Sequence, residues 1–280
     1  MFKRAERKKV KVKIALSGVS GSGKTYSALE LAVGLSDGGK IAVIDTEQGR
    51  ASMYSDRYKF DTSELSGPFS PEAYVECINY AVANNYSVLV IDSMSHEWDY
   101  ILEEKEKKDK TSKTGNSFTN WREFKNRHNK FVQHLLKSDI HIISTYRSKP
   151  QYVLQENHKG KMVPKKVGMG VQGQENDEYE YTIHLEMTKE DHLAEASKDN
   201  TGLFDGKVFK PSKEDGLKIL DWLNGGVSLY EDAIDLLKSP ALTEHESWKA
   251  MAEFVEKNKL NDAALSAGID KMKSIIHGTV

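Results

Sequence analysis

The chain has 280 residues, 38% of them hydrophobic and 29% charged, enough for one large or two modest domains around a substantial core. Its net charge of −2 selects no partner, and no apolar run approaches the ~18–20 residues of a membrane span. Residues 1–10 are basic without the apolar stretch of a secretory signal, and the single cysteine, Cys77, excludes an internal disulfide or a cysteine-based zinc cluster, so a reducing, cytoplasmic setting is expected.

Residues 11–16 read as an apolar strand. A glycine-rich loop follows, and then a helical run to about residue 35. Residues 40–45 form a second apolar strand, and the polar stretch after Gly49, as far as Gly67, reads as a loop. Ser70 and Pro71 then open a helix as N-cap and first residue, running to about residue 83. Residues 87–92 are a third strand, continuously apolar as a sheet covered on both faces requires. The charged stretch 102–116 reads as a loop after a short helix. Trp121, Phe124, His128, Phe131, Leu135 and Leu136 recur at helical spacing, and residues 139–145 make a fourth strand.

Alternating strands and helices predict a mostly parallel, doubly wound α/β sheet. Residues 147–178 are rich in Lys, Gly and Gln, with a hairpin expected at 152–163. Strands follow at 178–187 and 207–209, and Ser212 caps a helix that Asn224, Gly225 and Gly226 stop. That glycine pair divides the chain into a core, 1–226, and a helical tail, 227–280. The tail reads as three short helices, one opened by a capping box from Thr243 to Glu246.

The chemistry starts at residues 18–25, which fit G-x-x-x-x-G-K-[ST]. Gly18, Val19, Ser20, Gly21, Ser22 and Gly23 form a loop whose N–H groups cradle phosphate, with Tyr26 next to it in the following helix. Lys24 supplies a point charge for the β- and γ-phosphates of ATP, and the Thr25 hydroxyl is a ligand for Mg²⁺. Asp92, ending a buried strand, is the expected Mg²⁺ carboxylate. The next residue is Ser93, whereas AAA+ ATPases typically carry their catalytic Glu there, which disfavours that class. The water-activating base is then expected at Glu47, on the assumption that its strand lies beside the phosphate loop, with Glu97 as the rival.

Residues 18–25, Ile44-Asp45-Thr46-Glu47, Val90-Ile91-Asp92-Ser93 and residues 142–149 occur in the order and spacing of the RecA recombinase core. The chain resembles, more closely, the short phage-encoded RecA-like ATPases, some of which are single-strand annealing proteins. Arg147-Ser148-Lys149, Val167-Gly168-Met169-Gly170 and Gly206-Lys207-Val208-Phe209-Lys210-Pro211 carry that likeness. The resemblance covers residues 10–226 and implies a RecA-like fold. It also implies Glu47 as the catalytic carboxylate, and Arg147 and Lys149 reaching the γ-phosphate of a neighbouring subunit in a ring or filament. Thr145 stands where RecA has Gln.

The polar segments 105–120 and 150–178 sit where RecA carries its DNA-binding loops. Lys159, Lys161, Lys165 and Lys166 are the candidate contacts to single-stranded DNA, with Tyr152, Phe118 and Trp121 as stacking surfaces. Two other readings stay open. One is a nucleotide-dependent adaptor that binds a replication or recombination protein through the tail. The other is a monomeric P-loop kinase using Arg57.

Overall fold

A computed structural model describes residues 10–111, 117–156, 162–175, 177–225, 229–258 and 262–276. Its chain divides into two compact units, Lys11–Leu220 and Asp221–Val280.

The first unit runs β1 (Lys13–Gly18), α1 (Lys24–Leu35), β2 (Ile41–Asp45), β3 (Asp61–Glu64), α2 (Pro71–Ala83), β4 (Val88–Asp92), α3 (Ser95–Thr111) and α4 (Ser117–Lys137). It continues through β5 (His141–Glu156), β6 (Met162–Val171), β7 (Ile183–Met187), β8 (Ala194–Asp199), β9 (Val208–Phe209) and the start of α5 (Lys213–Asn224). The sheet order is β3-β2-β4-β5-β1-β7-β8-β9, and β6 lies off this path, paired with β5. Every pair from β3 to β7 is parallel, while β8 and β9 are antiparallel additions. The α/β class and mostly parallel sheet are those the strand–helix alternation predicts.

Both faces of the sheet are covered. Ala15, Ile44, Leu89, Ile91 and Ile142 pack on one face against Tyr74 and Ile78 of α2 and Phe131 and Leu135 of α4. The alternate positions Ile14, Leu16, Val43, Val90 and Ile143 are equally buried, and α1 packs against β4 and β5. Helices α1 and α5 touch backbone to backbone. A Cβ at Gly34 would fall 2.0 Å from the Lys213 carbonyl, and one at Gly216 would fall 2.3 Å from that of Leu31.

Several local expectations need correction. The stretch 102–111 continues α3, because Glu and Lys favour helix and pair at i,i+4: Lys105 with Asp109 and Glu106 with Lys110, each at 2.7 Å. Residues 112–116 lie outside the described residues. The polar stretch 61–64 is a strand, and its residues are exposed because it sits at the sheet edge. Strand β5 does not stop at residue 145 but runs on to Glu156, forming a longer hairpin with β6 than 152–163 allows. Residues 178–182 are not strand; Asp177–Glu180 is a 3₁₀ turn.

The second unit holds α6 (Leu229–Leu237), α7 (Pro240–Thr243), α8 (Trp248–Lys257) and α9 (Asp262–Ile276). Its own core joins Ala233, Leu237, Leu242, Val255, Leu265, Ile269 and Met272. The capping box does not form: Thr243 ends α7 and donates to the Pro240 carbonyl, and Ser247 precedes α8. Among the described residues, no helix is long and apolar enough to cross a membrane.

Candidate active site

At one edge of the sheet, strands β2, β4, β5 and β1 come into line and deliver polar groups side by side. Asp45 closes β2 in register with Asp92 at the end of β4, and Gly18 closes β1 in register with Arg147 of β5. Ligands of parallel sheets bind outside the carboxyl ends of the strands. A cleft of about 260 Å³ lies there, lined by the phosphate loop together with Glu47, Arg50, Tyr54, Asp92 and Arg147. Strand β2 is not beside β1, as the argument for Glu47 assumed: β4 and β5 stand between them. Glu47 reaches the cleft nonetheless, because its loop continues beyond the strand end.

The loop takes its shape from glycine. Gly21 and Gly23 adopt φ of +82° and +86°, the left-handed region that side chains avoid. A Cβ at Gly18 would lie 2.4 Å from Ser22 Oγ. Gly23 caps α1, so the unpaired N–H groups of the helix start lie at the cleft, where Ser20, Gly21, Gly23, Lys24 and Thr25 form one wall. Lys24 Nζ donates to the carbonyls of Gly18 and Val19, each at 2.9 Å. Burial lowers its pKa, against the opposing pull of Asp92 and Glu47. The Ser22 hydroxyl is fully buried and has no hydrogen-bond partner among the described residues. A lysine lining the cleft and turned back on its own loop is the residue a polyphosphate would draw out.

Asp92 is held from two sides. Thr25 Oγ1 donates to its Oδ2 and Thr145 Oγ1 to its Oδ1, both at 2.5 Å. Burial pushes the Asp92 carboxyl up, while the bonds from Thr145 and Thr25 pull the other way. Thr25 and Asp92 are hard oxygen donors in contact at the loop's mouth, and this set fits Mg²⁺. Bound there, the ion would neutralise charge on the transferring phosphoryl group. The Thr145 hydroxyl, at the position where RecA has Gln, is committed to the Asp92 carboxylate.

Glu47 is positioned by a residue that sequence reasoning passed over. The buried Asp45 carboxylate accepts from the backbone N–H of Glu47 at 2.6 Å and of Ala51 at 2.9 Å, which folds the loop after β2. Glu47 Oε1 then accepts from Arg147 Nε and Nη2 at 3.0 and 2.6 Å, and Oε2 accepts from Arg50 at 3.3 Å. Arg147 therefore sits in its own chain's cleft, whereas the resemblance implied a reach into a neighbour's. Its strand is continuous with the sheet, and its backbone N–H is fixed by Ser95 Oγ at 2.9 Å. Lys149 is exposed and does not line the cleft. Tyr26 contacts Tyr54 and Tyr58 edge-on at 6.0 and 5.9 Å, so with Met53 and Tyr54 the cleft has an apolar rim suited to a base.

Glu97 is removed from the chemistry. Its side chain is fully buried, and Oε2 pairs with His128 Nδ1 at 2.8 Å, while His128 Nε2 pairs with Asp177 at 2.8 Å. Burial pushes the Glu97 carboxyl up. Burial alone would lower His128, but the bonds to Asp177 and Glu97 outweigh it and raise its pKa to about 9. Glu97 is thus part of a structural network, and the rival base is withdrawn.

The DNA-contact candidates are spread unevenly. Lys165 and Lys166 fall in β6, in register with Val153 and Tyr152 of β5. Lys159 and Lys161 lie outside the described residues. Trp121 packs edge-on against Trp98 at 5.8 Å beside Ile101 and Phe124, so it is spent on packing rather than presented for stacking.

Comparison with known proteins adds the family. No curated protein matches the chain. Among solved structures, a KaiC-like protein from the hyperthermophilic archaeon Pyrococcus horikoshii matches at 16% identity and a TM-score of 0.42, covering 70% of this chain and 83% of that one. Residues 10–215 match the family model described as the AAA domain. With the phosphate loop, Asp92 and the ordered strand ends in one cleft, the chain belongs to this AAA-domain family of P-loop ATPases.

Proposed function

We propose that this ATPase is phage-encoded and acts on single-stranded DNA in recombination or annealing, with hydrolysis coupled to the DNA it holds. The path of β5 carries the reading. The strand ladders with β1 as far as Arg147, and from Ser148 onward it pairs, among the described residues, only with β6. One strand therefore joins the ATP cleft to a hairpin outside the main ladder. The hairpin strands include Lys149, Lys165 and Lys166, and the sequence between them adds Lys159 and Lys161. Lysines that follow a phosphate backbone supply most of the affinity for single strands.

In this reading Thr25 and Asp92 hold Mg²⁺ and Lys24 binds the β- and γ-phosphates. Glu47 orients and deprotonates the attacking water, and Arg147 offsets charge on the γ-phosphate from the same chain. Lys149, exposed at the hairpin's root, is the side chain available to a second copy in a ring or filament. A second reading, an adaptor for a replication or recombination protein, draws on the separate core of the tail unit. Deleting residues 227–280 would then abolish partner recruitment and spare DNA binding.

The test is ATP turnover with and without single-stranded DNA, for the native chain and Lys24→Ala, alongside DNA binding by Lys165→Ala/Lys166→Ala. Stimulation by DNA is expected, and the double variant should flatten the salt slope of log K by about 1.4, or ~0.7 per phosphate contact. Turnover indifferent to DNA, together with no DNA binding, sinks the recombination reading and leaves the ATPase intact.

A further inference from the structure

The turn between β7 and β8 lies against the outer side of the phosphate loop. Thr188 and Leu193 close it: Thr188 N–H donates to the Leu193 carbonyl at 2.8 Å, and Leu193 N–H donates to Thr188 Oγ1 at 3.2 Å. Within it Lys189 stands beside Gly21, its Cε 3.7 Å from where a Cβ would be. His192 goes further. A Cβ built at Gly23 would lie 3.3 Å from its Nδ1 and 3.4 Å from its Cγ, so the imidazole occupies the space the glycine leaves. Its own φ is +55°, an uncommon conformation for a residue with a side chain, and one the turn imposes.

His192 Nδ1 is also buried without a hydrogen-bond partner among the described residues. A buried ring nitrogen held against a loop in a strained conformation calls for a partner that appears in another state of that loop. Lys24 spends its donors on the Gly18 and Val19 carbonyls, and a nucleotide that drew the ammonium onto phosphate would release both carbonyls.

We infer that His192 is a positioning residue for ATP: its Nδ1 accepts a hydrogen bond from a loop N–H in the nucleotide-bound form, so that the β7–β8 turn fixes the phosphate cradle from behind. It acts through Gly23 and does not touch the nucleotide. This assigns the ring proton to Nε2, and it gives a solvent-side turn, outside every motif of the sequence, a part in nucleotide affinity.

The test separates the nitrogen from the ring. Asn places a polar atom near the position of Nδ1, whereas Phe keeps the ring and has no nitrogen. Binding of a fluorescent ATP analogue and steady-state hydrolysis are measured for the native chain, His192→Ala, His192→Asn and His192→Phe, with thermal melts to confirm folding. His192→Ala and His192→Phe should each weaken nucleotide binding and raise KM about 5- to 10-fold, the scale of one buried hydrogen bond, with kcat within about twofold. His192→Asn should stay within about twofold of native binding. Native affinity in His192→Phe would reduce the residue to a space-filler and overturn the inference. So would an unchanged KM in His192→Ala, or a loss confined to kcat. Should the alanine variant not fold, the Asn and Phe pair decides the question by itself.

Discussion

Replacing Glu97, His128 and Asp177 together by Gln, Gln and Asn turns a charged buried network into a neutral one of similar shape. The imidazole sits between two carboxylates, edge-on to Trp98 at 4.9 Å, with its side chain 2% exposed. Its pKa rises from 6.5 to about 9 on folding, worth about 3 kcal/mol at ~1.4 kcal/mol per pKa unit. Because the folded value lies above the unfolded one, this stability is fully present below pH 6.5 and is lost as pH rises through about 9. Glu97, whose carboxyl burial pushes up, titrates in the same sense, since its ionisation disfavours the fold. At roughly 2–4 °C per kcal/mol for a unit of this size, the native chain should lose about 6–12 °C of Tm between pH 6.5 and pH 9.5. The triple variant should lose little over that window. Circular-dichroism melts at half-unit pH steps measure both curves. If the variant declines as steeply as the native chain, His128 is not the titrating group and the buried-imidazolium argument fails.

Three further outcomes concern the cleft. Lys24→Ala should abolish measurable ATP turnover, since no other cation of the described phosphate loop takes its place; residual turnover above a tenth of native would contradict its role. Glu47→Gln keeps one acceptor oxygen, for Arg147, gives up the weaker bond from Arg50 and removes the base, so kcat should fall about 10²-fold or more while ATP binding changes little. Unchanged hydrolysis would move the base elsewhere. Thr145→Val removes one of two hydroxyls on the buried Asp92 and should raise the Mg²⁺ concentration needed for half-maximal turnover several-fold, read from a metal titration at fixed ATP. An unaltered titration would make that bond incidental.

Much of this could be read along the chain, and what could not shares one physical cause. The phosphate loop is legible because its chemistry is local: the glycines, Lys24 and Thr25 act within eight consecutive residues. Ser70 caps α2 for the same reason, accepting from Ala73 N–H at 3.3 Å. Glu97 was misjudged because what defines it is His128, 31 positions on, and Asp177 beyond that. The Arg147–Glu47 pairing spans 100 positions and depends on strand order, which spacing does not encode. Strands β3 and β8 were missed because they lie outside the sheet's centre, where side chains such as Asp61 and Glu195 meet solvent and the apolar alternation fades. Asp45 did leave a signal: an acid ending an apolar strand must find donors, and here they are the N–H groups of the loop it shapes.

The backbone contact between α1 and α5 sets where the nucleotide site can yield. With Gly34 and Gly216 admitting no side chain between the helices, there is no compressible layer there, and neither helix can slide without shearing the other. The nucleotide-bearing end of α1 is thus anchored at its far end as a rigid strut. Compliance is left to the glycine hinge residues ahead of it, Gly21 and Gly23. Amide hydrogen exchange should then show the middle of α1 protected to the level of global unfolding whether or not ATP is present. Its change on binding should be confined to residues 18–24.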